Sequence, residues 1–64
     1  MRKLRKYMAH IDTGTDYISL EYYSYHRNGS KQNKEDARYT MFTKLGWRTA
    51  SRYTIKSTEL YPYY

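Results

Sequence analysis

This chain has no cysteine, no valine, one proline, three glycines and no long apolar run. Without cysteine, neither a disulfide framework nor a thiolate metal site can staple the fold. Without valine, and with only three isoleucines and four leucines, the core must draw much of its area from aromatic side chains. Met1–Lys6 carries the charge of a signal-peptide n-region, yet Tyr7–Asp16 offers no apolar stretch to follow it, and no segment approaches the length of a membrane span. A soluble, cytoplasmic protein is expected, with no membrane partner. No Gly-rich phosphate loop, nucleophile elbow or paired-carboxylate arrangement is visible. The chain therefore reads as non-enzymatic, with no cofactor, no catalytic residue and no metal site.

What is present in quantity is tyrosine and positive charge. Ten tyrosines and Trp47 stand in 64 residues, a size at which a single core is worth only about 3–5 kcal/mol. Each large aromatic buries roughly 150–250 Å², but a buried Tyr hydroxyl needs a partner, so many of these rings belong half exposed at the core edge. Twelve Lys and Arg against six Asp and Glu leave a net charge of +6 and a pI near 9.7. That balance points to an anionic partner.

Asn33–Trp47 carries a full set of helix signals. Asn33 is placed to cap, Glu35 and Asp36 put negative charge on the first turn, and Ala37, Met41 and Leu45 recur with Phe42 as an apolar stripe. Lys44 and Gly46 supply the stop. The remaining sequence reads as strands. Lys3–Ile11 and Tyr17–His26 flank the turn formers Asp12–Asp16 and make a hairpin. In the second strand Ile18, Leu20 and Tyr22 share one face, while Tyr17, Ser19, Glu21, Tyr23 and Tyr25 share the other. In the first, Tyr7, Ala9 and Ile11 are expected inward. Arg27–Gln32 is a polar connector to the helix.

Beyond the helix, Arg48–Thr58 alternates as a third strand, with Arg48, Arg52 and Lys56 on one face and Trp47, Tyr53 and Ile55 on the other. Pro62 cannot sit in a central ladder, so Glu59–Tyr64 reads as a tail or the end of an edge strand. The result is an α+β fold: a small ββαβ domain spanning 1–64, one helix packed on one face of a three-stranded sheet, with a basic N-terminal end (1–6) and an aromatic C-terminal tail (59–64). The strand–helix–strand passage is expected to be parallel and right-handed, with the first strand antiparallel to its hairpin partner. The order strand, helix, Leu45-Gly46-Trp47, strand is similar in topology to half of a ferredoxin-like fold, such as those in small RNA-processing proteins. The acidic residue that ends the first strand in such nucleases is missing here, and no active-site role carries over.

One sheet face has no second layer to cover it. Lys6, His10, Tyr23, Tyr25, Arg48, Arg52 and Lys56 are expected there, a mixture of rings and cations suited to stacking bases and neutralising phosphates of a single strand. Arg48, Arg52 and Lys56 would lie roughly 13 Å apart along the strand at about 3.3 Å per residue. An uncovered sheet face must be polar in any case, and Lys and Arg also guard sheet edges. Arg2, Lys3, Arg5 and Lys6 form a second basic cluster that can hold phosphates as an arm or merely solvate a frayed end. Trp47 is expected in the core against Met41 and Leu45. His10 and His26 fall at opposite ends of the hairpin, too far apart to share a metal or a proton.

Two functions fit this surface. The first is binding of nucleic acid, single-stranded by preference, through the Tyr/Arg/Lys face. The second is a phage-type interaction protein that inhibits or modulates a larger host enzyme by docking on an acidic patch, with Tyr61, Tyr63 and Tyr64 as anchors and positive charge steering the encounter. A homodimer formed through an exposed sheet edge is compatible with both.

Overall fold

In the computed structural model, which describes residues 3–62, the first turn is tied by its own side chains. Asp12 Oδ1 accepts from Gly14 N–H at 2.8 Å, and Thr13 Oγ1 accepts from Asp16 N–H at 3.0 Å. Gly14 sits at φ +94°, a conformation glycine adopts without cost. This turn joins β1 (Arg5–Asp12) to β2 (Tyr17–Ser24), so the first strand does end on an acidic residue, Asp12, which the sequence placed in the turn. Antiparallel pairing sets Ile11 opposite Ile18, Ala9 opposite Leu20 and Tyr7 opposite Tyr22. Both sets face inward, as their alternation requires, and Tyr7, Ala9, Ile11 and Tyr22 are buried.

The helix α1 runs over Lys31–Leu45, two residues earlier at each end than the sequence suggests. Its cap is Ser30, whose Oγ accepts from Asn33 N–H at 3.2 Å. Asn33 is not a cap but a fully buried residue within the first turn. Its amide is consumed by the core: Oδ1 accepts from the Tyr22 hydroxyl at 2.6 Å, and Nδ2 donates to the His26 carbonyl at 2.9 Å. Glu35 and Asp36 consequently fall beyond the first turn, which contains no acidic residue. Ala37 and Met41 form the buried stripe, and Gly46, at φ +89°, ends the helix by donating its N–H to Phe42 O at 3.0 Å.

The expected strand from Arg48 does not start there. Trp47–Ala50 is a short second helix, α2, closed by Ala50 N–H to Gly46 O at 2.9 Å. Only Thr54–Leu60 forms β3. Ala50 explains the difference: it is the one small apolar side chain in the segment, it is 1% exposed, and a helical turn delivers it under the core. The same turn carries Trp47 outward. Trp47 is 76% exposed and lies against Phe42 at 4.7 Å between ring centroids, so it is not the core residue its flanking sequence suggests.

The sheet order is β2-β1-β3 with both pairings antiparallel. β2 and β3 thus run parallel, joined through α1 and α2 with β1 between them, which makes a split β-α-β arrangement. The fold is a small α+β sheet-and-helix structure, as expected. Pairing with β1 shifts between His10↔Ser57 and Ile11↔Ile55, leaving Lys56 as the extra residue of a bulge. Glu59 and Leu60 belong to this edge strand, and Tyr61 N–H continues the ladder to Lys6 O at 3.0 Å. Tyr63 and Tyr64, as well as Arg2, lie outside the described residues. No helix among the described residues is long and apolar enough to cross a membrane.

Two tyrosines do core duty. Tyr7 and Tyr22 stack at 5.6 Å, and each buried hydroxyl finds a partner, Tyr7 on the His26 carbonyl at 3.1 Å and Tyr22 on Asn33. Burial pushes the Tyr22 hydroxyl pKa up, partly offset by the neighbouring Thr58 hydroxyl. The other described rings stay half or fully exposed, the division expected for a core rich in tyrosine.

Candidate nucleic-acid interface

The uncovered sheet face is less basic than its sequence implies. Lys6 lies on it, but its Nζ pairs with Glu21 Oε2 at 3.1 Å and sits 4.2 Å from the Tyr61 ring centroid. The hydrogen bond to Glu21 raises the Lys6 pKa, and the same bond lowers that of Glu21. His10 bridges two strands, Nδ1 to Ser19 Oγ and Nε2 to Glu59 Oε1, both at 3.3 Å. Tyr23 is 56% exposed here, a usable ring. Yet Lys6 is matched by Glu21, and Glu59 adds a further carboxylate. Rings are present, but excess positive charge is not.

Arg48, Arg52 and Lys56 do not form a row on that face. Arg48 belongs to α2, Arg52 to the turn after it, and only Lys56 to β3, at the bulge. The regular spacing of about 13 Å assumed an extended backbone throughout. A helical turn followed by a bend breaks it. Tyr25 is displaced in the same sense: it lies past the end of β2, beside Lys3, Arg5 and Arg27 at a separate recess.

Positive charge gathers instead between α1 and β3. Two side-chain hydrogen bonds, Tyr22 to Asn33 and Ser24 to Asp36, each 2.6 Å, draw α1 toward β2. On the other side Tyr53 and Ile55 remain half buried, and a groove of about 440 Å³ opens. Its floor is Met41, Phe42, Ala50 and Ile55; Lys34, Arg38 and Lys56 stand along it, and no carboxylate lines it. Lys34 and Arg38 are one turn apart, so α1 presents both to the same side. The Arg38 guanidinium lies 5.9 Å from the Phe42 ring centroid, and Phe42 contacts Trp47 in turn. The bulge at Lys56 brings the third cation to the groove from the strand side.

The sequence signal for this site was present but masked. Lys34 and Arg38 flank the apolar stripe of α1 at a spacing of four, a pattern equally typical of any solvated helix face. Trp47 and Phe42 both read as core. No protein-family model, curated protein or solved structure matches the chain.

Proposed function

We propose that this chain is a small, basic, non-enzymatic nucleic-acid-binding protein that holds single strands along the groove between α1 and β3. The observation that carries this reading is the separation of charge: on the open sheet face Lys6 is neutralised, whereas Lys34, Arg38 and Lys56 line a groove free of carboxylates. Arg48 adjoins Trp47, and Arg52 follows α2, adding two cations to that side of the sequence. Phosphates are neutralised along the groove, and a base stacks on the exposed Trp47 ring, beside the cations that hold its backbone.

Fluorescence anisotropy with labelled single-stranded and duplex oligonucleotides tests this. Affinity for single strands should fall about 20- to 100-fold between 50 and 200 mM salt, for three to five phosphate contacts at a slope of about −0.7 each. Arg38→Glu and Lys56→Glu should each weaken binding and flatten the salt slope, while Tyr23→Ala should do neither. No binding at low salt, or unchanged affinity in both charge reversals, overturns the proposal.

A second reading rests on Trp47 alone. A tryptophan 76% exposed beside Arg48 is also the anchor chemistry of a protein interface. On that reading the protein is a phage-type modulator that docks on an acidic surface of a larger host enzyme. Absence of oligonucleotide binding, with capture of an acidic protein lost on Trp47→Ala, would favour it. The uncovered outer edge of β2 could also pair with a second copy, and sedimentation velocity distinguishes monomer from dimer.

A further inference from the structure

A second recess, of about 340 Å³, lies at the opposite end of β1, lined by Lys3, Arg5, Tyr7, Tyr25, His26 and Arg27. It contains three permanent cations and no carboxylate. Among the described residues neither Lys3, Arg5 nor Arg27 has an ion-pair partner, since the only pairs formed are Lys6–Glu21 and His10–Glu59.

The walls of this recess are fixed by hydrogen bonds, most of them half-buried. The His26 carbonyl accepts from the Tyr7 hydroxyl at 3.1 Å and from Asn33 Nδ2 at 2.9 Å. His26 N–H donates to Ser24 Oγ at 3.0 Å, and that hydroxyl donates to Asp36 at 2.6 Å. The Arg27 carbonyl accepts from Ser30 Oγ at 2.7 Å and from Ser30 N–H at 3.1 Å, linking it to the cap of α1. β1 supplies Arg5, opposite Ser24 in the hairpin register. The backbone beneath Arg27 is therefore held by the connector's hydrogen bonds, and that of Arg5 by the β1–β2 ladder, with both cations unmatched at the surface. Such preorganisation favours anion binding, because little backbone ordering remains to be done.

We propose that this recess binds a phosphate monoester, its dianion held among Lys3, Arg5 and Arg27 and the group that bears it lying against the Tyr25 ring. Guanidinium groups offer paired donors to phosphate oxygens. Three cations match a dianion better than the single charge of a chain-internal phosphodiester. The volume is that of about ten waters, more than a bare phosphate needs, and falls at the small end of the range for small-molecule sites. Tyr25 is 57% exposed and provides a face for a nucleobase.

This site is separate from the groove, so it stands or falls apart from the function proposed above. The test is amide and Tyr-ring NMR shifts with adenosine 5′-monophosphate, inorganic phosphate and uncharged adenosine as probes. The monophosphate should shift Arg5, Tyr25, His26 and Arg27 saturably, and adenosine should not. Arg27→Glu and Lys3→Glu, the latter outside every strand, should each weaken that response about tenfold or more. Arg38→Glu should leave it unchanged. Oligonucleotides with and without a 5′-phosphate then identify the source. A gain in affinity from the phosphate supports the site with a strand end as its ligand, and equal affinity alongside monophosphate binding supports it with a free monoester. Absence of a saturable response to the monophosphate, or an unaltered response in both charge reversals, overturns the proposal.

Discussion

Tyr22 and Asn33 close a 2.6 Å hydrogen bond in the middle of the core, joining β2 to the first turn of α1 at a point sealed from water. Tyr22→Phe leaves Asn33 Oδ1 buried without that donor, a loss of about 1–3 kcal/mol. Asn33→Ala removes the same bond and the support of the His26 carbonyl, and opens a small cavity, for about 2–4 kcal/mol. Because both changes break one interaction, a double-mutant cycle by urea denaturation should return a coupling energy of roughly 1 kcal/mol or more, not simple additivity.

Gly46 stands at φ +89° and ψ 152°, a region essentially closed to side chains, although nothing lies within 4 Å of where its Cβ would be. Gly46→Ala should therefore cost about 1–3 kcal/mol from backbone strain alone. Thermal denaturation checks this, and Gly46→Asn should lose about as much, because the tolerance of Asn for positive φ is confined to the left-handed helical region at ψ of roughly +30 to +60°.

The Lys6–Glu21 pair gives the sheet face a defined pH response. Glu21 has a lowered folded pKa, chiefly through its bond with Lys6. Its stabilisation is thus present above its ordinary pKa of 4.5 and is lost as pH falls through the lowered value. Glu21→Gln should melt slightly below the unchanged protein at neutral pH, the two curves converging in acid. At the alkaline end Lys6 and Tyr22 both have raised folded pKa values, so stability erodes above their ordinary values of 10.5 and 10.0. In a spectrophotometric titration Tyr22 should ionise above the ordinary tyrosine value.

Trp47 separates binding from stability. With 76% of its surface exposed, Trp47→Ala should change folding by less than about 1 kcal/mol, while single-strand affinity drops by the roughly 1–3 kcal/mol of one base-stacking contact. Intrinsic tryptophan fluorescence, quenched on titration with an unlabelled oligonucleotide, reports the contact directly.

The architecture was legible where two signals coincided. In β2 an aliphatic set alternates with a polar set, and in α1 the Ala37–Met41 stripe ends at Gly46, so period and punctuation agree. From Trp47 to Arg52 they do not. Arg, Thr, Ala and Ser alternate over too few residues to separate a strand from a single helical turn, and the deciding fact, the seat of Ala50 beneath the core, is tertiary. Asn33 was misread for a related reason. Its amide suits a cap, but Ser30 three residues earlier caps equally well, and only the position of the Tyr22 hydroxyl settles which one is buried. The candidate interface depended on the first of these: with Arg48 and Arg52 off the sheet, the neutralising role of Glu21 becomes visible and the positive surface moves to the helix side.

The central place of β1 governs the order in which this chain can fold. Its hairpin with β2 closes over a four-residue loop, 13–16, and can form early. Its other edge stays unpaired until everything through Leu60 has been synthesised and returned to it. During that interval an apolar strand bearing Tyr7, Ala9 and Ile11 offers a row of open backbone groups to any other strand in reach. The final seven-residue strand therefore works as a latch: its arrival completes the sheet and withdraws the most aggregation-prone edge from solution.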